Sequence, residues 1–431
     1  MQNIEHELLL ACAGVQVDLA RTEKIRILLR EHIDWEYLIR TALQHSVIPL
    51  LCRNLTNSFP KAIPRDVRNQ LRSYFSANAR RNLLLTAELL RVLDLFETQG
   101  ILTIPFKGPM LAALVYGDQS LRQYSDLDIL IPERCVPTAR DLVVSMGYRP
   151  DPVHQLDFEA HFFHPEGICD LDLHWGISYK NIYREKDASF ALDLQGVWER
   201  VKPISFAGRS VLHFSPEDLL IIRCQGAVKE YWKDNWPQLK WICDIAEIVR
   251  VYPEMDWGHL MEQARKLGNQ RLLLFCLSLA KNLVGAPLPR DVLECIQTDP
   301  QAGELTLETT ELLFRNVNSS NRFLDRKSGF LERNLFCIRL KERPRHRFPY
   351  YLRFLEDYRR NACKAIKKKE DRELLLLPAS LSYLYYLLAF LYYLIRPIWR
   401  VGRYGAKSLR LFLKFKGQRT KMHRANARGG A

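Results

Sequence analysis

Asp126 and Asp128 stand one residue apart in Ser125-Asp126-Leu127-Asp128-Ile129, and Asp170-Leu171-Asp172-Leu173-His174-Trp175 repeats the spacing about 45 residues on. Side chains two apart on a strand share a face, so each segment reads as a strand with acids on one side and aliphatic residues on the other. Two carboxylates converging on one point suit magnesium, which takes hard oxygen ligands and keeps room for phosphate oxygens; manganese is the alternative ion. A third carboxylate from the second strand would complete a site for two ions. Such a pair could activate an attacking hydroxyl and stabilise a departing pyrophosphate.

An Asp-x-Asp alone is more often a solvated turn. The second acidic strand raises its weight, and so does Lys107-Gly108, which falls between an expected strand and an expected helix. Glycine there lets backbone amides approach a phosphate with a helix N-terminus behind them; the bland reading is an ordinary strand-to-helix turn. Arg122 and Ser125 flank the acidic pair. Arg122 either grips phosphate or forms a salt bridge that orients Asp126 or Asp128. His174 shares the acidic face as a partner of the acids, a substrate contact or a structural hydrogen bond. His161 and His164 are three apart on one expected strand, hence on opposite faces, which argues against a histidine metal cluster with His154. Trp241 and Asp244 are neighbours on one helix face; they line a pocket or, more commonly for such pairs, dock one domain on another.

The elements that must position these residues follow from periodicity. Residues 1–99 read as helical, with a long helix from Val67 to Glu97 stopped by Gly100. Residues 100–214 read as a small mixed α/β domain. Its strands are expected at Ile101–Phe106, Leu127–Ile131, Phe158–His164 and Ile168–Trp175, with helices at Pro109–Tyr116 and Pro137–Met146. Pro165-Glu166-Gly167 makes the last two strands an antiparallel hairpin. From Ser215-Pro216-Glu217-Asp218, a strong helix start, residues 215–345 read as a helical domain. Residues 346–431 form a basic helical tail. The fold class is α+β, an α/β domain embedded between helical regions.

The run Phe106-Lys107-Gly108-Pro109-Met110-Leu111-Ala112, then Tyr116-Gly117 and Leu121-Arg122-Gln123-Tyr124-Ser125-Asp126-Leu127-Asp128, resembles the bacterial uncharacterised nucleotidyltransferase family, within the DNA polymerase beta-like superfamily. Asp170-Leu171-Asp172-Leu173-His174-Trp175, Leu239–Ala246 and His45–Leu51 are similar to further motifs of that family, so the resemblance spans roughly residues 5–400. It implies transfer of a nucleoside monophosphate from a nucleoside triphosphate to an acceptor that the sequence does not name. Asp126, Asp128 and Asp172 would be the catalytic metal ligands, with Asp170 as the alternative third acid. The superfamily's glycine-serine pair is Gly108-Pro109 here, so no serine hydroxyl reaches the triphosphate. Lys107 or Arg122 would replace it by charge, beside Gly108 and Ser125. A second reading keeps the fold as a nucleotide-binding module or scaffold with its chemistry lost.

Charge is unevenly placed. Residues 331–431 hold 25 Lys/Arg against 7 Asp/Glu, whereas residues 1–330 are close to neutral. Such a tail favours an anionic partner, phospholipid or RNA; no recognised RNA-binding motif accompanies it. Leu374–Ile395 carries no charge over 22 residues. Its five tyrosines and the basic residues beyond it fit packing on the protein, or a place in the membrane interface, better than a span. Ten scattered cysteines without zinc spacing, and an N-terminus without a basic start, imply a reducing cytoplasm, with peripheral contact at the inner membrane face as an addition.

Overall fold

The computed structural model describes residues 3–156, 158–177, 193–234, 237–314 and 329–342. The basic tail and the charge-free segment 374–395 lie outside them. Among the described residues no helix is long and apolar enough to cross a membrane.

Four short helices open the chain: α1 (Ile4–Cys12), α2 (Leu19–Leu28), α3 (Trp35–Gln44) and α4 (Ile48–Ser58). Asp18 and Asp34 cap the second and third by accepting from the backbone N–H groups of Arg21 and Tyr37. The long α5 (Arg65–Thr98) follows. It ends at Gly100, whose φ of +64° turns the chain out of the helix.

Next come β1 (Ile104–Pro105), α6 (Gly108–Tyr116), β2 (Asp126–Leu130), α7 (Val136–Ser145), β3 (Arg149–Leu156), β4 (Glu159–Phe163), β5 (Asp170–His174), α8 (Leu194–Arg200), β6 (Lys202–Phe206) and β7 (Arg209–His213). The main sheet runs β1-β2-β5-β4-β3, with β2 and β5 parallel and the other neighbours antiparallel. The expected hairpin is β4–β5. The expected first strand pairs only at Ile104 and Pro105. Two strand systems lie beyond the sequence reading. Pro150 and Pro152 hide β3, which is tolerated because it is an edge strand where a missing donor costs little. The β6–β7 hairpin is half polar and turns on Ala207 and Gly208, both at positive φ.

The remaining helices are α9 (Pro216–Asp234), α10 (Leu239–Val251), α11 (Trp257–Leu267), α12 (Gln270–Val284), α13 (Arg290–Thr298), α14 (Pro300–Leu313) and α15 (Gly329–Leu340). Ser215 caps α9, its Oγ accepting from the Asp218 N–H at 3.1 Å. Two cores organise these elements. One face of the sheet (Leu127, Ile129, Leu171, Leu173, Phe162) packs on α7 and the second half of α5 through Leu85, Leu89, Val92 and Phe96. The other core joins α1–α4 to α9–α14 and reaches the sheet through Ile104, Phe106 and Leu130. The stretch 1–99 thus divides between two cores, and α5 belongs to both. The acidic face of the sheet is left turned toward the helices.

Candidate active site

The parallel register of β2 and β5 sets Asp126 opposite Asp170, and Asp128 opposite Asp172. The hairpin register adds β4: His161 lies opposite Asp172, and Glu159 opposite His174. One face of three strands therefore carries a row His161–Asp172–Asp128, bordered by Asp170–Asp126 on one side and Glu159–His174 on the other. The two segments singled out from sequence are brought together as adjacent strands with the acids on one face.

Hydrogen bonds fix this row. His161 Nδ1 lies 2.5 Å from Asp172 Oδ1. His174 Nε2 lies 3.1 Å from Asp128 Oδ1, and its Nδ1 lies 3.4 Å from Glu159 Oε2. Glu159 also meets Lys229 of α9 at 3.3 Å. Lys107 donates to Asp128 Oδ1 at 2.5 Å. The other oxygen, Asp128 Oδ2, is buried without a hydrogen-bond partner. Asp126 makes no hydrogen bond or ion pair among the described residues. Ligand atoms of Asp128, Asp172 and His174 lie within 4.8 Å of one another, a group able to hold a metal ion. Asp126 stands outside that trio, two residues before Asp128 on the same face of β2.

The electrostatics divide the acids. Burial pushes the Asp126 carboxyl above its ordinary range, and the neighbouring Asp128 charge pushes it further. Burial acts likewise on Asp128, but Lys107 and His174 outweigh it and hold that carboxyl well below the usual range. Burial would lower the Lys107 ammonium; Asp128 more than offsets this and raises it. His161 is raised, chiefly by its hydrogen bond to Asp172.

Gly108 serves the site's geometry directly. Its φ is +52°, and a Cβ there would stand 3.0 Å from the Asp126 carbonyl oxygen. Only glycine lets the start of α6 close on β2 in this way. Ser125 is exposed and makes no side-chain hydrogen bond among the described residues.

Arg122 takes a place the sequence did not foresee. It is buried, and its Nε and Nη2 hold Asp244 of α10 at 2.8 and 2.9 Å, so the grip expected on phosphate is spent on a carboxylate. The alternative expectation, a salt bridge, holds in kind, but the partner is Asp244 and not Asp126 or Asp128. The reason is Asp244 itself, which is fully buried and needs counter-charge. Arg223 of α9 adds a third bond at 2.8 Å, and the Tyr116 hydroxyl donates a fourth at 2.7 Å. Asp244 thereby fills the docking role, while Trp241 is buried in the helical core. The loop before β2 is secured from behind by α5, where Asn82 Nδ2 donates to the Gln119 and Arg122 carbonyls at 2.6 and 2.9 Å.

Sequence reasoning read His161 only against a metal cluster and passed over Glu159 and Lys229. A signal existed for the first two: counting outward from Glu166 and Gly167, the hairpin pairs 161 with 172 and 159 with 174. His164 faces the other way, as alternation required, and lies 3.6 Å from Glu88 of α5.

A model of the family described as "Uncharacterised nucleotidyltransferase" matches residues 31–285. Among solved structures, the antibiotic-resistance factor ANT(2'')-Ia is similar at 15% identity over 43% of this chain and 91% of that one, with a TM-score of 0.31. An antigenic nucleotidyltransferase-like protein from Paracoccidioides brasiliensis is similar at 16% identity over 50% of this chain and 96% of that one, with a TM-score of 0.28. No curated protein matches the chain.

Proposed function

Because the chain belongs to the uncharacterised nucleotidyltransferase family, we propose that it moves a nucleoside monophosphate from a nucleoside triphosphate to a hydroxyl or similar acceptor. The observation that carries this reading is the under-satisfied acidic face: Asp128 Oδ2 is buried without a partner, and Asp172 stands beside it. A buried anionic oxygen is costly unless something neutralises it, and a divalent cation does so.

The donor set favours magnesium or manganese. Both nitrogens of His174 face carboxylates, which leaves oxygen ligands from Asp126, Asp128 and Asp172 for a hard cation. Two such ions would supply Lewis-acid polarisation of the reacting phosphate and charge relief for the departing pyrophosphate. The protein's own residues do the positioning. Asp126 and Asp128 would hold the ions, with Asp172 as the third carboxylate. His161 holds the Asp172 carboxylate, and His174, braced by Glu159, holds that of Asp128. Lys107, held on Asp128, and the uncapped start of α6 at Gly108 would border the phosphates, with Ser125 at the rim. Arg122 acts through Asp244, keeping the strand-leading loop in place.

The test is incubation of the purified chain with each labelled nucleoside triphosphate, magnesium and cell extract, beside an Asp126→Asn Asp128→Asn variant. Label appearing on an acceptor only with the unaltered chain names donor and acceptor together. Transfer that survives in the double variant defeats the assignment. Magnesium-dependent nucleotide binding without pyrophosphate release would instead support the binding-module reading.

A further inference from the structure

The cations around the acidic face are mostly committed. Lys107 is on Asp128, Lys229 on Glu159, and Arg122 and Arg223 on Asp244. Lys240 differs: among the described residues its ammonium has no hydrogen bond or ion pair.

Two backbone contacts fix its place. It is the second residue of α10, and its backbone N–H donates to the His45 carbonyl at 3.2 Å, beside the Leu239 N–H on His45 Nδ1 at 3.3 Å. Ser46 takes a positive φ directly after, which seats this contact. One helical turn on from Lys240, on the same face, Asp244 grips Arg122, four residues before Asp126. Lys240 thus shares a helix face with the carboxylate that anchors the loop leading into β2. It is partly buried, and burial, followed by the like charge of Arg122, lowers its ammonium from the ordinary value. The charges of Asp244, Glu230 and Asp126 act on it without an ion pair among the described residues, and Asp126 and Lys240 each feel the other's charge. An uncommitted ammonium in such a place has a use when an anion arrives.

We propose that Lys240 binds the polyphosphate of the nucleoside triphosphate donor, taking over the contact that Pro109 cannot make. This rests on the nucleotidyltransferase reading above. The ligand class is a polyphosphate rather than a base or sugar, since an ammonium recognises phosphate as a point charge. Lys240→Gln should therefore weaken binding of both nucleoside triphosphate and inorganic tripolyphosphate by about ten- to a hundredfold, the scale of one charge-assisted contact. Nucleoside monophosphate binding should change by less than about twofold, and Lys240→Arg should restore most of the loss.

The measurement is calorimetric titration of the full chain with those three probes in magnesium, for the unaltered protein, Lys240→Gln and Lys240→Arg, with thermal unfolding of each. The Lys240→Gln variant should melt no lower than the parent, because it removes an unpaired, partly buried charge. If it binds tripolyphosphate and nucleoside triphosphate as tightly as the parent, the assignment of Lys240 is overturned while the nucleotidyltransferase reading stands. Equal weakening of monophosphate and triphosphate binding, or a lower melting temperature, also overturns it in favour of a structural lysine. A parent that binds no nucleoside triphosphate at all defeats the functional reading itself.

Discussion

Two carboxylate centres lie close together in this fold and are treated in opposite ways. Asp244 is fully buried and receives four hydrogen bonds, two from Arg122 and one each from Arg223 and Tyr116. Asp128 is just as enclosed, yet one of its oxygens has no partner, and Asp126 has none at all among the described residues. Burial raises the affinity of every such carboxyl for a proton. At Asp244 the two guanidinium groups reverse that and hold the carboxyl well below its usual range; at Asp126 nothing does. A buried charge that is fully partnered belongs to the scaffold. One that is kept and left short of partners is where the proposed cation would sit.

The comparison breaks most easily at Asp126. Asp126→Asn should cut transfer by about a thousandfold, the scale seen when a group acting only in the transition state is lost. Its thermal stability should stay the same or rise, because the ionised side chain is disfavoured where it sits. A variant that unfolds in step with its loss of activity would place Asp126 among the structural acids. Asp244→Asn should do the reverse. It strands two guanidinium groups in the interior, and removal of one partner from a buried ion pair costs about 3–5 kcal/mol. Denaturant unfolding measures this; a loss below about 1 kcal/mol, the scale of an exposed pair, would show that the cluster is worth no more than a surface contact.

The difference in legibility between the two centres has a physical basis. Asp126, Asp128 and Asp172 were readable because strand alternation is local: Leu127, Ile129, Leu171 and Leu173 declare the core face, and the acids fall on the other. The helix boundaries at Gly100, Gly108 and Ser215 were readable for the same reason. Asp244 and Arg122 are 122 residues apart, and no periodicity relates them. Their pairing exists only once α10 docks on the loop before β2. His161 sits between these cases, since its face was legible but its partner required the hairpin register. Lys240 was invisible, because being uncommitted is a property of the surroundings. Edge strand β3 was obscured by its own prolines.

His213 shows a third way to bury a polar group, and so sharpens the contrast. It lies at the end of β7 with Nδ1 3.0 Å from the Phe214 carbonyl and Nε2 buried without a partner. Burial lowers its pKa to about 4, so the ring stays neutral when folded. Between about pH 6.5 and 4 the unfolded chain binds a proton that the native one does not, and stability falls as pH falls, by up to about 3 kcal/mol across that window. Above it the contribution is flat. His213→Leu should flatten the acid limb of a stability-versus-pH curve by that amount, and an unchanged limb would show that the imidazole charges in place.

The smallest effect separates scaffold from site within one hydrogen bond. Tyr116→Phe removes only the phenol from Asp244, leaving both guanidinium groups, and should cost about 1.5 kcal/mol. Asp244 then keeps three of its four bonds, so the loop carrying Arg122 stays in place and donor binding should hold. Made in the Asp244→Asn background, the same change should cost much less, because the charge that strengthened the hydrogen bond is already gone. Strict additivity would show that the Tyr116 hydroxyl contributes independently of the Asp244 charge. Asp244 would then be held by its two arginines without the phenol, and the four-bond accounting that sets it apart from Asp126 would reduce to a pair of ion pairs.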